Sequence, residues 1–533
     1  MSNATLIRRE VGGIALLCTA LGSIIGSGWL FGAWRAAQLA GPGAIYAWII
    51  GAVIILFVAL TFAELGAMFP ESGGSVRYGL YSHGSLVGFV AGWAAWIAIV
   101  SVIPVEAEAS VQYMSSWPWE WAQTLYLRAA NGRGELSPAG LSIAAVLVVI
   151  YFLLNFWSVK VFASTNSAIT FFKLIVPAAT AIALMLQGIH WENFHTGTRG
   201  GPYALDAAAI LTAVATSGIV FSYNGFQSPV NLAGEAHNPG RSIPLAIFGS
   251  IALSTVVYLL LQFAFLGAVA PEHLHEGWVG LEFSSPFAQL ALALNLNWLA
   301  LLLYADAFAS PSGTGSTYTA TTARMIYAME RNGSFPKVFG RVNPLFGIPR
   351  PAMWLNLGVS FLFLFFFRGW GRLAAVISVA TIVTYLVVPV SVMVLRRTAP
   401  GLHRPLRVPG LPLLAPAAFV LSSLMLYWAR WPHTGEIILL LILPLPLYFY
   451  YQAKGNWHDF GRNLRGAWWL IGYFAVVAVL SWAGSTEFEG HGYLAYGWDQ
   501  ACVAIAGLFF YAWGVRSGWS TPAIIAAVER TAT

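Results

Sequence analysis

The chain has 533 residues, 58% hydrophobic, 15% aromatic and only 9% charged, with a net charge of +6 and a mean hydropathy of +0.70. Soluble domains carry about 25% charged residues, so this chain cannot cover a water-facing surface, which excludes a soluble enzyme, a nucleic-acid binder and a disordered scaffold. The two cysteines, Cys18 and Cys502, both lie inside apolar runs, which excludes a disulfide framework and a multi-cysteine metal site.

A membrane-crossing helix needs about 20 mostly apolar residues. Fourteen segments are read as spans, at about 12–37, 43–69, 84–113, 139–157, 163–187, 206–232, 244–270, 285–327, 352–367, 373–395, 411–429, 434–452, 467–483 and 499–516. The predicted class is an all-α polytopic membrane protein. The first segment follows Arg8 and Arg9, is too long for a signal-peptide core and is read as a retained helix. The eighth is too long for one straight span and is expected to continue into a cytoplasmic helix. With the N-terminus inside, 19 of the 27 Lys and Arg fall on the cytoplasmic side and seven outside: Arg35, Arg128, Arg133, Arg199, Arg368, Arg372 and Arg430. Lys173 alone falls within a span. This asymmetry predicts cytoplasmic N- and C-termini in the plasma membrane.

Two spans are expected to be broken. The first carries Gly22-Ser23-Ile24-Ile25-Gly26-Ser27-Gly28, too rich in glycine for an uninterrupted helix. The sixth carries Gly218, then Phe221-Ser222-Tyr223-Asn224-Gly225-Phe226, then Pro229, whose ring leaves the Gly225 carbonyl without a helical donor. Broken helices belong where a span lines a cavity. Glycines in single membrane helices also serve close packing, but two breaks five spans apart form the pattern of an inverted-repeat transporter. Ionisable groups within spans mark functional candidates. They are Glu106 and Glu108 after Pro104 in the third span, Lys173 near the middle of the fifth and Asp306 in the eighth. Thr314 and Ser316 offer hydroxyl partners for Lys173. Glu106 and Glu108 stand about 200° apart around a helix, so only one readily faces a cavity, and helix geometry does not choose between them.

Four ordered stretches carry a resemblance: GSIIGSGWLFG (22–32), AELGAMFPESGGSVRY (63–78), FSYNGFQSPVNLAGEAHNPGRSIP (221–244) and ARMIYAMERNGSFPKVF (323–339). They resemble the amino acid–polyamine–organocation permeases, over about residues 10–400. IPVEAEASVQYM (103–114), ITFFKLIVP (169–177) and the extra C-terminal spans look most like the bacterial aspartate–proton symporters. The resemblance implies a core at 1–400 built of two inverted five-helix repeats, about 12–187 and 206–395, with four additional helices at 401–533. It also implies secondary transport of an amino acid by alternating access, with a proton as coupling ion and no cofactor.

On that reading, the amides of Gly26, Ser27 and Gly28 suit a substrate α-carboxylate, aided by the helix dipole. Open carbonyls at Ser23, Ile24, Phe221, Ser222 and Gly225 suit the ammonium. Phe221 or Tyr223 would close over the substrate, although Tyr223 fits simple packing equally well. The family pattern selects Glu106 as proton acceptor or amine partner, and gives Lys173 the place that a cation holds in sodium-coupled relatives. Lys173 then carries the coupling proton or acts as a fixed structural tie to the first span. Both carboxyls also suit hydrogen-bonded helix interfaces. An acidic side chain would draw on Arg35, which equally suits a snorkelling role, or on Asn224, Gln227 and Ser222. Glu64, Glu71–Tyr78, Glu235 and Arg241 are read as gate or fold residues. Ten histidines without ligand spacing argue against a metal, and no nucleotide-binding pattern supports ATP-driven transport. The expected partners are a small amino acid and membrane lipid. Rival readings are an exchanger or facilitator for neutral amino acids or amines on the same scaffold, and, from another class, a channel or a transporter-like receptor.

Overall fold

The computed structural model describes residues 11–69, 74–128, 134–157, 159–233, 236–343, 347–455 and 457–532. Arg8, Arg9, Glu71, Arg133 and Glu235 lie outside them. The first expected span is two helices, α1 (Gly13–Ile24) and α2 (Gly28–Ala40), followed by α3 (Ala44–Met68) and the short α4 (Gly74–His83). The third span is one continuous stretch with a single turn residue, Ser101, between α5 (Ser85–Val100) and α6 (Val102–Met114), three residues before Pro104. A small helix, α7 (Glu120–Gln123), leads into an antiparallel hairpin, β1 (Tyr126–Arg128) and β2 (Gly134–Leu136). Helices α8 (Pro138–Trp157) and α9 (Val159–Leu186) follow.

The sixth span is fragmented as its glycines and Pro229 predict. It consists of α10 (Ala207–Thr216), α11 (Ile219–Tyr223) and α12 (Ser228–Asn231). Next come α13 (Pro239–Ala268), α14 (Pro286–Ala293) and α15 (Asn297–Arg331). The eighth segment thus divides at its start. Asn295, in the left-handed region at φ 59°, turns the chain from α14 into α15. The 35-residue α15 would be about 52 Å long, well beyond the roughly 30 Å hydrocarbon core. The chain continues through α16 (Arg350–Phe366), α17 (Trp370–Thr398), α18 (Leu411–Trp428), α19 (His433–Ile442), α20 (Leu445–Lys454), α21 (Phe460–Ala483), α22 (Trp498–Ser517) and α23 (Pro522–Ala532).

Among the described residues, eight helical stretches are long and apolar enough to cross a membrane, or nine when the bent pair α22–α23 counts as one. Shorter apolar helices occupy the first, fifth, sixth and ninth predicted segments. Large apolar side chains face outward, among them Leu413 (80% exposed), Leu301 (72%) and Phe171 (68%). In water such a surface is unfavourable, and against lipid it is what a spanning bundle requires. The protein is a multi-pass helical membrane protein.

The two broken segments lie side by side. Helix α1 contacts α9, α12, α13 and α15, whereas α11 contacts α2, α3 and α17. One end of the bundle carries the β1–β2 hairpin. At the other end, fully buried Glu64 on α3 accepts from Arg396 Nε at 2.7 Å and Nη2 at 2.5 Å, and from the Val408 amide at 2.9 Å. Removing one partner of a buried ion pair costs about 3–5 kcal/mol. Glu64→Gln is therefore expected to lower the unfolding temperature of purified protein by several degrees in a detergent thermal-shift assay. An unchanged temperature would remove the pair from the fold's main ties.

Candidate functional site

The break in the first span covers Ile25, Gly26 and Ser27. Ile25 leaves helical geometry (φ −86°, ψ 86°) and Ser27 re-enters it as the N-cap of α2. The break in the sixth has two parts. Gly218, in the left-handed region at φ 93°, separates α10 from α11, while Asn224 is extended and Gly225 sits at φ 122° between α11 and α12. A Cβ on Gly225 would lie 2.7 Å from the Ser23 carbonyl carbon and 2.8 Å from the Ile24 nitrogen. Positive φ and contact with another chain segment's backbone together admit only glycine. Gly225→Ala must therefore push the two breaks apart. It is expected to cost about 1–3 kcal/mol of stability and to lower uptake at least about tenfold, an effect of about 1.4 kcal/mol. Thermal shift and vesicle uptake of the same preparation check both.

Glu106 and Lys173 grip opposite ends of the first break. Glu106 Oε2 accepts the Ser27 amide at 2.8 Å, and a Cβ on Gly26 would overlap the Glu106 carboxylate and approach Thr314 Cγ2 at 3.1 Å. Lys173 Nζ donates to the Gly22 carbonyl at 2.8 Å and to Thr314 Oγ1 at 2.6 Å. Both side chains are fully buried, and among the described residues no direct ion pair joins Lys173 to Glu106 or Asp306. Ser110 Oγ donates to the Ala307 carbonyl at 2.7 Å, which fixes the Glu106 helix against α15.

The other candidate residues separate into distinct roles. Ser316 does not reach Lys173: its hydroxyl accepts from Asn155 Nδ2 at 2.9 Å. Asp306 Oδ1 accepts from Ser310 on its own helix at 2.6 Å, with the Trp29 indole beside it. Glu108 is buried away from the break, near Gly369, with no hydrogen-bond partner on either carboxyl oxygen. Tyr223 donates to Thr255 Oγ1 at 3.0 Å and packs against Trp48 and Tyr258, so it fills a helix interface. Phe221 instead meets the Trp370 ring edge-on at 5.8 Å.

The amides and carbonyls expected to be open are largely occupied from within. The Ser27 amide holds Glu106, and the Gly26 amide turns back to Ile24 O at 3.1 Å. Tyr258 donates to Ser222 O at 2.9 Å and to Ile24 O at 3.3 Å, and Tyr318 reaches Ser23 O at 3.5 Å. The Phe221 and Gly225 carbonyls accept the Asn224 and Ser228 amides, both at 2.9 Å. Buried polar backbone must be paired, and hydroxyls do this with a bond that rotation can release. A lid closes the hairpin side. Trp370 Nε1 donates to Ser27 Oγ at 2.8 Å, and its ring lies 4.8 Å from that of Phe31. On the other side a cavity is lined by Phe62, Ala98, Asn224, Gln227 and Thr381, and Gln227 bonds Asn224 at 2.6 Å. Sequence patterns miss Trp370, Tyr258 and Tyr318. Nothing in the pattern sets Trp370 apart among 23 tryptophans, except its place beside Gly369 just ahead of a span.

The first break thus carries a carboxyl on its Ser27 amide, an ammonium on its Gly22 carbonyl and an indole on its Ser27 hydroxyl. Residues 11–438 match the amino acid permease family. The chain is 57% identical over 515 residues to the glutamate/serine transporter AimA of Bacillus subtilis, covering 97% of this chain and 95% of that one. It is 36% identical over 516 residues to the aspartate-proton symporter of the same organism, covering 96% of each. A more distant relative, the branched-chain amino acid permease BcaP of B. subtilis, is 24% identical over 454 residues, 84% of this chain and 94% of that one. The chain belongs to the amino acid permease family, and it is an amino acid transporter.

Proposed function

We propose that this transporter is a proton-coupled symporter that takes up acidic amino acids across the plasma membrane by alternating access. The observation that carries the reading is the Glu106 carboxylate on the Ser27 amide. A substrate α-carboxylate seeks the same donor at the start of α2, and two carboxylates cannot share it without repulsion. A proton on Glu106 relieves that repulsion and frees the amide. Substrate and proton therefore favour one another's binding, and by linkage the favour is mutual. Deprotonation of Glu106 on the inner side returns its carboxylate to Ser27 and expels the substrate. Lys173 keeps the break anchored to α9 and α15 through the cycle. Glutamate, serine and aspartate in the names of the two nearer relatives reported above support the substrate class.

In this reading residues 12–187 and 206–395 form two five-helix repeats that move about the paired breaks, and 401–533 forms four supporting helices. The excess of Lys and Arg on one side supports cytoplasmic termini, with the hairpin end and Trp370 facing outward. The cavity at Asn224 and Gln227 then opens toward the cytoplasm.

The test is uptake of labelled glutamate, aspartate and serine into empty proteoliposomes under an imposed pH gradient. Accumulation of an acidic amino acid, driven by external acid and abolished by a proton ionophore, is expected. Uptake that requires internal amino acid would identify an exchanger and overturn the coupling. Uptake of serine without either acidic substrate would overturn the substrate class.

A further inference from the structure

The pocket on the hairpin side of Trp370 contains opposite charges that the central break does not use. Arg35 lies on α2, seven residues beyond Gly28. Its guanidinium stacks on the Trp34 ring at 4.1 Å and lies against Gly371, next to the lid residue Trp370, with its atoms 3.5–3.6 Å from where a Gly371 Cβ would stand. Nη1 donates to Gln38 Oε1 at 3.0 Å, but Nε is buried without a partner. Among the described residues no carboxylate lies within ion-pairing distance of Arg35, whereas Arg372 nearby in sequence to the lid is already paired with Glu135 at 2.8 Å. Tyr126, Ser284 and the exposed Glu282 line the same shallow pocket, which is open at its mouth. Glu282 shares the pocket with Arg35 without forming an ion pair with it.

A guanidinium and a carboxylate that share a pocket yet do not meet are complementary to a zwitterion lying between them. The planar guanidinium matches a carboxylate bidentately, and a carboxylate matches an ammonium. We propose that this pocket is a staging site for zwitterionic α-amino acids, with Arg35 holding the substrate carboxylate and Glu282 its ammonium before the Trp370 lid yields to the central break. This deepens the proposed function and rests on its assignment of the hairpin end to the outside. The site takes neutral and acidic amino acids alike, because both contacts are to groups that every α-amino acid carries.

The test compares uptake kinetics of wild type, Arg35→Gln, Glu282→Gln and the charge-swapped pair Arg35→Glu with Glu282→Arg in proteoliposomes, using both glutamate and serine. Each single variant is expected to raise KM about tenfold, the order of one charge-assisted hydrogen bond, with the maximal rate within about twofold of wild type. The swapped pair should regain part of the affinity. An unchanged KM in Glu282→Gln overturns the proposal, as does a fall in maximal rate at constant KM, which would make Arg35 a part of the lid alone. Glu282 is exposed on a loop, so its variant carries the test even if Arg35→Gln does not fold. Failure here leaves wild-type uptake and its proton dependence intact, whereas failure of the proposed function appears in the wild type itself. If wild type carries serine only, the same KM comparison is read with serine.

Discussion

Replacing Lys173 with methionine is expected to lower amino acid uptake about a hundredfold while the protein still inserts and purifies. Nζ makes two hydrogen bonds, to Gly22 O at 2.8 Å and to Thr314 Oγ1 at 2.6 Å, and so ties α9 to both α1 and α15. Each hydrogen bond from a charged donor contributes about 1.5–3 kcal/mol, so the pair contributes at least about 3 kcal/mol, or about two decades in an equilibrium constant. Methionine fills the volume but leaves the Gly22 carbonyl buried without its charged donor. The break can then relax, and the competent arrangement becomes a minor population. Arginine should not rescue the loss. Its fork is wider and planar, and α9 approaches so closely that a Cβ on Gly22 would lie 2.7 Å from Thr170 Oγ1. The measurement is initial uptake per reconstituted protein, with a thermal-shift scan beside it. Uptake above a third of wild type would show that the tie is dispensable.

Lys173 also shows how far the sequence carries. Its position as a basic residue near the middle of a span is legible from composition and spacing alone, because a buried ammonium in hydrocarbon demands a reason. The two breaks are equally legible, since Gly22–Gly28 and Gly218–Pro229 violate helix chemistry locally. What each group touches is not legible. Thr314 and Ser316 lie two residues apart on one helix, yet Thr314 meets Lys173 and Ser316 meets Asn155. Glu106 and Glu108 are also two apart, and the packing of α6 sends one to the Ser27 amide and the other toward the start of α17. Periodicity says that such pairs diverge. It does not say which member faces which neighbour, because that depends on helices hundreds of residues away. The same distance hides the Tyr258 and Tyr318 hydroxyls that occupy carbonyls expected to be open, and the Trp370 lid on Ser27. The division of the eighth segment at Asn295 was hidden by a different cause: asparagine's tolerance of positive φ is weaker punctuation than glycine or proline.

Glu106→Gln is expected to abolish accumulation of acidic amino acids against a gradient while sparing exchange of internal for external substrate. Glutamine is close in shape and can still offer an oxygen to the Ser27 amide, so the break should keep its geometry. Two properties are lost together, the negative charge that competes with the substrate carboxylate and the ability to take up and release a proton. Without the competitor, substrate should bind at least as well as in wild type, and KM should fall or stay level. Without the proton site, external acid should no longer stimulate uptake. Wild-type uptake is expected to rise several-fold between external pH 8 and pH 6, a window of two decades in proton concentration, and the variant to vary by less than about twofold. Counterflow measured at equal pH on both sides supplies the control, since it needs the binding site and the moving helices but no net proton. Retained counterflow with a flat pH profile assigns coupling to Glu106. Loss of both would mean that the carboxylate is needed to hold the break itself, and a retained acid stimulation would transfer the coupling role to Lys173 or Asp306. Asp306→Asn distinguishes these last two, because it leaves both Lys173 hydrogen bonds untouched.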